Sequence, residues 1–121
     1  MNLQPIPYRL SVCKLQNTTD FDFRNDFFFF GKTDEERSLV CKTKDVPPVT
    51  LARDDGWRGF RICGTLDFSL IGILSKLSSL LAENNIGIFA VSTFNTDYIL
   101  VKETNFDRAL SVLSAAGYTL S

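Results

Sequence analysis

The chain contains no histidine. That removes at once the commonest general base and the commonest transition-metal ligand, so no Ser-His or Cys-His pair can be assembled. Cysteine is scarce as well. Cys13, Cys41 and Cys63 are odd in number, lack any CxxC spacing and all fall in strand-like contexts, which argues for reduced, buried thiols rather than a zinc site. No GxGxxG or P-loop spacing occurs. The tight acidic pairs, Asp54–Asp55 and Glu35–Glu36, read as a loop and a hairpin tip, solvated rather than coupled for acid–base work. No catalytic residue, metal ligand or cofactor is expected, and the chain is read as a non-enzyme.

An excess of one charge is also missing. Thirteen basic against fourteen acidic residues give a net charge of -1, without the electrostatic footprint of a nucleic-acid binder. No apolar run approaches the roughly 18 residues that span a bilayer, so no membrane segment is expected. The opening "MNLQPIPYRL" has no basic stretch followed by an apolar one, so a cytoplasmic protein without a secretion signal is expected. What is present suits a globular chain: 121 residues, 45% hydrophobic and 22% charged, enough for one compact domain or two small packed halves.

The second half is the more legible. "GFRICGTL" (59–66) reads as a strand, and from Leu70 the apolar residues Leu70, Ile73, Leu74, Leu77, Leu80 and Leu81 follow helical spacing, with Gly72 inside the first turn. Asn84 and Asn85 end that helix, since asparagine tolerates the left-handed conformation. "IGIFAVS" (86–92) is a strand with almost no polar positions, so both of its faces are expected to be covered. "TFNT" turns the chain into a second strand, "DYILVKE" (97–103). Thr104 and Asp107 then approximate a capping box for a helix whose apolar face is Phe106, Ala109, Leu110 and Leu113. Gly117 stops it, and "YTLS" adds a short strand, for an order βαββαβ. RNA-recognition modules share that order, but "DYILVKE" does not match their basic aromatic central strand, and RNA binding is set aside.

The first half echoes the second. Setting residues 29–45 over 89–105, an offset of 60, brings Phe29 onto Phe89, Thr33 onto Thr93 and Lys42 onto Lys102, with a shared strand-turn-strand pattern. "YRLSVCKL" (8–15) would open this copy. Its first helix is replaced by the short polar "QNTTDFDFRND", and Pro47 and Pro48 crowd out a second, so the copy is trimmed, with a linker near "ARDDGW" (52–57). In "FFFF" (27–30), alternation sends Phe27 and Phe29 to one face and Phe28 and Phe30 to the other, as core or interface packing. Apolar strands on both faces of units whose helices cover one face predict self-association, most simply a homodimer.

Two turns at one end of the second unit carry the candidate site. A helix start offers free amides and a positive dipole end to a carboxylate, and Asp67 and Asp97 could meet an ammonium group. Gly72 would let a ligand or a neighbouring strand approach the main chain. The pieces suit a zwitterion, and an amino acid is the simplest one. Each residue also has a plainer reading: Asp67 or Ser69 as a helix cap, Gly72 as a packing position, Asp97 as a turn residue.

The stretches "LDFSLIGIL", "LAENNIGIFAVST" and "TDYILVKE", with "FFFFGKTDEERSLVC" in the first half, resemble ACT domains, in particular small tandem-ACT proteins related to aspartate-kinase regulatory regions and cytosolic arginine sensors. The resemblance implies an α+β, ferredoxin-like fold of two tandem ACT-type units, 1–56 trimmed and 57–121 complete, sharing an extended antiparallel sheet with helices on one face. It further implies an amino-acid-binding regulatory module with its ligand at an ACT–ACT interface, dimerisation, and a regulated protein partner. Carried over, the strand-to-helix loop is Asp67, Phe68, Ser69, Leu70, Ile71 and Gly72, and the facing segment is Ser92, Thr93, Phe94, Asn95 and Asp97. The alternative is an ACT-fold scaffold for dimerisation or protein interaction that has no ligand.

Overall fold

In the computed structural model, which describes residues 2–63 and 72–121, the chain forms β1 (Asn2–Leu15), β2 (Phe28–Lys32), β3 (Arg37–Lys42), a 3-10 turn (Thr43–Asp45), β4 (Ala52–Ile62), α1 (Ile73–Glu83), β5 (Phe89–Ser92), β6 (Asp97–Lys102), α2 (Glu103–Ala115) and β7 (Thr119–Leu120). These fall into two compact units, Met1–Pro7 with Arg58–Ser121, and Tyr8–Trp57, so that β1 and β4 contribute to both. Among the described residues no helix is long and apolar enough to cross a membrane.

In the larger unit the strand order is β7-β1-β4-β6-β5. Side chains alternate across a strand, so Phe60 and Ile62 of β4 and Ile99 and Val101 of β6 point to one face, where Leu77 and Leu81 of α1 and Phe106, Ala109 and Leu113 of α2 close the core. Each large side chain buried there contributes on the order of 1.5–3 kcal/mol. The helices therefore cover one face, as expected. The last strand departs from a purely antiparallel sheet: β7 pairs in parallel with β1, Asn2 opposite Thr119 and Leu3 opposite Leu120.

Both helices end in the same way. Asn85 adopts φ 58° after α1 and Gly117 φ 100° after α2. Ile86 N–H then donates to Leu81 C=O (3.0 Å) and Tyr118 N–H to Leu113 C=O (3.1 Å), closing a Schellman motif at each end. Ile86, just past the first motif, is buried in the core beside Leu81.

Four sequence expectations are corrected. α1 begins at Ile73, and Gly72 is its N-cap with φ 87°, not a residue inside the first turn. The capping box does not form: β6 runs directly into α2, which starts at Glu103 with Lys102 as N-cap and no side-chain cap, so Thr104 and Asp107 already lie inside the helix. β5 begins only at Phe89, because Ile86 serves the α1 terminus, and as an edge strand it leaves Ala90 and Ser92 exposed rather than covered on both faces. Residues 52–57, read as a linker with Asp54–Asp55 in a loop, are the first half of β4.

The smaller unit has the order β2-β3-β1-β4, and its only helical segment among the described residues is the 3-10 turn. β3 pairs antiparallel with both β1 and β2. Cys13, Leu39 and Cys41 with Phe28 and Phe30 form its core face, where a full unit would lay a helix. The loop "QNTTDFDFRND" takes that place with two rings. Phe21 packs edge-on to Phe28 at 4.9 Å, and Phe23 edge-on to Phe30 at 5.5 Å between centroids. Phe27 and Phe29 contact each other and Phe27 meets Tyr8, so the "FFFF" run divides between faces as alternation requires. The buried Ser11 is satisfied by Thr43 (2.9 Å) and by donating to Asp55 (2.5 Å), which Arg53 also bonds at 2.8 Å.

The two hairpins keep one register under the 60-residue offset. Phe29 faces Val40 as Phe89 faces Leu100, and Lys32 faces Arg37 as Ser92 faces Asp97. Their turns close alike, Thr33 N–H to Glu36 C=O and Thr93 N–H to Thr96 C=O, each at 2.9 Å.

Candidate functional site

The β5–β6 turn is a closed four-residue turn. Thr93 donates its hydroxyl to Thr96 C=O at 2.7 Å and accepts from Thr96 N–H at 3.3 Å, so its side chain is occupied by the turn itself. Thr96 donates its hydroxyl to Ile62 C=O, tying the turn to the end of β4. The hairpin turn therefore sits where the chain leaves β4 toward α1, and this is the edge on which the two halves of the expected site were to meet.

Of the expected ligand residues, Asp67, Phe68, Ser69, Leu70 and Ile71 lie outside the described residues. Gly72 is placed at the start of α1. A Cβ built on Gly72 meets nothing within 4 Å among the described residues, and its positive φ by itself favours glycine there. A close approach does occur at Gly59 in β4, where a Cβ would stand 2.9 Å from the Ile99 carbonyl oxygen. No side chain caps α1 and its first turn holds no acidic residue. Its leading amides and the positive end of its dipole are thus not neutralised by their own helix.

Ser92 and Asn95 are exposed, and Phe94 at the turn apex is 97% exposed. Asp97 behaves differently. It is only 9% exposed and stands at the start of β6, in alternation with Ile99 and Val101 and so on the helix-bearing face. Among the described residues no hydrogen bond or ion pair engages its carboxylate. A carboxylate of this kind, on the face that carries the uncapped helix, offers negative charge to an ammonium while the helix start offers N–H donors to a carboxylate.

Burial pushes the Cys41 thiol up to about 12 and raises Cys13, so both are poor nucleophiles, and all three cysteines are free. Among the described residues no cluster of three or more His, Cys, Asp or Glu could hold a metal ion. A feature missed in the sequence is a cleft of about 330 Å³ at the β2–β3 tip, bordered by Lys14, Lys32 and Arg37. The repeat offset held the signal, because it places Lys32–Arg37 on Ser92–Asp97.

Comparison with known proteins bears on this geometry. Residues 52–115 match the ACT domain family model, a span that runs from β4 to the end of α2. Protein Atu0741 from Agrobacterium tumefaciens is 30% identical, with a TM-score of 0.87 over 99% of this chain and 91% of that one. Protein VC0802 from Vibrio cholerae, described as of unknown function and a possible transport protein, is 14% identical with a TM-score of 0.74 over 94% and 88% of the two chains. The regulatory subunit of aspartate kinase from Thermus thermophilus, in ligand-free form, is 10% identical with a TM-score of 0.64 over 95% and 96%. A search of curated protein sequences gives no match.

Proposed function

The chain belongs to the ACT domain family, and we propose that it is a non-catalytic regulatory module that binds a free amino acid at the start of α1. The observation that carries this reading is Asp97, nine-tenths buried and unpartnered among the described residues, on the sheet face that bears an uncapped helix. Asp97 would receive the ligand ammonium, and the amides that open α1 would receive its carboxylate. Ser92 and Asn95, both exposed at the same hairpin, border this site. The fold shared with an aspartate-kinase regulatory subunit supports a regulatory role. The common hairpin register supports a tandem of ACT-type halves, 1–56 trimmed and 57–121 complete, with the first seven residues packing into the second half.

A second reading is favoured by Phe94, a 97% exposed aromatic ring on a hydrogen-bonded turn, which suits a scaffold that docks a protein partner and has no small ligand. Thermal unfolding in the presence of each of the twenty amino acids separates the two. A ligand that binds only the native state stabilises it by about 2.7 kcal/mol at 100 times its dissociation constant. One amino acid, or one chemical class, is expected to raise the midpoint. A flat response to all twenty at millimolar concentration supports the scaffold instead.

A further inference from the structure

We propose that the smaller unit carries a ligand site of its own, the cleft at the tip of the β2–β3 hairpin, and that this site takes a small dicarboxylate. The cleft, about 330 Å³, lies in the size range of small-molecule sites and is bordered by Lys14, Leu15, Lys32, Arg37 and Leu51 with the turn acids Asp34, Glu35 and Glu36.

Its cations are arranged in a way that an empty surface would not favour. Lys32 stands directly opposite Arg37 in the ladder, on the same face, where like charges repel. Among the described residues Lys32 has no hydrogen-bond or ion-pair partner, while Lys14, opposite Ser38 rather than Arg37, borders the cleft from the other face of β1. Arg37 spends one N–H on Gln16 C=O at 3.1 Å and keeps its other donors. The three turn carboxylates do not neutralise them. Thr33 Oγ1 accepts from Glu35 N–H (3.1 Å) and Glu36 N–H (3.2 Å), which fixes these residues in the turn, and no salt bridge joins them to the cations among the described residues.

The hairpin repeat supplies an independent argument. Arg37 occupies the position that Asp97 holds 60 residues later, in the same register, with Lys32 at the position of Ser92. The strand-end charge is thus inverted between the two units: where the larger hairpin presents a carboxylate at Asp97, the smaller presents a guanidinium at Arg37. The free edge of the guanidinium fits one carboxylate in fork geometry, and a lysine meets the second. Leu51 gives an apolar wall for the methylenes between them.

The test is an NMR titration of the full chain with succinate, following backbone amides. Saturable shifts confined to Lys14–Gln16 and Gly31–Arg37 are expected, weakening as salt is added. Lys32→Gln should weaken succinate binding about tenfold or more, as should Arg37→Gln, since each loses a charge-assisted hydrogen bond. Lys32→Gln breaks no side-chain hydrogen bond or ion pair among the described residues, so it decides the question even if Arg37→Gln perturbs the hairpin. Asp97→Asn should leave succinate binding unchanged, because the amino-acid site is read from other amides, those of Gly72–Ser75 and Ser92–Asp97. Non-saturating shifts, shifts spread over all surface lysines, or a Lys32→Gln titration identical to the parent would each show solvated charges only and overturn the proposal.

Discussion

Gly72 and Asp97 serve the proposed site in different ways: one by its backbone conformation, the other by a carboxylate at the start of β6. Because Gly72 holds φ 87°, any L side chain there is strained, and Gly72→Ala should lower stability by about 1–2 kcal/mol in urea unfolding, although nothing described crowds the position. An unchanged midpoint would mean the loop relaxes out of the left-handed region. Cys41 makes a different residue-scale prediction. Its thiol titrates near 9.0 when unfolded and is pushed up to about 12 in the fold, chiefly by burial. Above the unfolded value the native state holds the extra proton. Its contribution is therefore fully present below about pH 9 and is lost as pH rises toward 12, with a slope of at most about 1.4 kcal/mol per pH unit. Cys41→Ala should flatten that alkaline decline, measured as unfolding free energy against pH. An identical slope in parent and variant would refute the assignment.

Helix ends and strand registers show how far local chemistry reaches. Gly117 and Asn85 hold the same position in two Schellman motifs, and Gly117→Ala should cost about 1–2 kcal/mol by forcing a Cβ into the left-handed region. Asn85→Gly should be neutral or slightly stabilising, and a loss of stability there would mean the asparagine side chain is needed. Phe21→Ala should cost about 3–5 kcal/mol, because this loop residue covers the strand face in place of a helix. A loss below about 1 kcal/mol would make the loop dispensable. The same comparison explains what was legible in the sequence. Apolar spacing at Leu77, Leu81, Phe106, Ala109 and Leu113 placed both helices, since these side chains are the core, and the asparagine and glycine stops were right because left-handed residues are chemically rare. The capping box failed because Thr104 resembles a helix start only if a loop precedes it, and β6 leaves none. Residues 52–57 looked like a linker because their charges are exposed on a strand, a fact set by pairing rather than composition. Asp97 could be proposed from its place in a turn, but its burial depends on elements distant in sequence and was visible only in the fold.

At the scale of the whole molecule, the chain joins an ACT unit to a smaller unit whose hairpin repeats the first in register and reverses its charge. Half-buried aromatic residues on both faces of β2 and an open edge at β5 motivate the expectation of a homodimer. Light scattering at micromolar concentration should give twice the 13.6 kDa chain mass, and a monodisperse monomer across that range would contradict it. The account stands or falls on amino-acid binding at Asp97. The decisive measurement is a calorimetric titration of the parent and of Asp97→Asn with the amino acid that most raises the thermal midpoint. The substitution keeps the shape of the side chain and removes its charge, so affinity should fall by roughly 1.5–3 kcal/mol while the fold is retained. Equal affinities in the two proteins would place the ligand elsewhere and contradict the account.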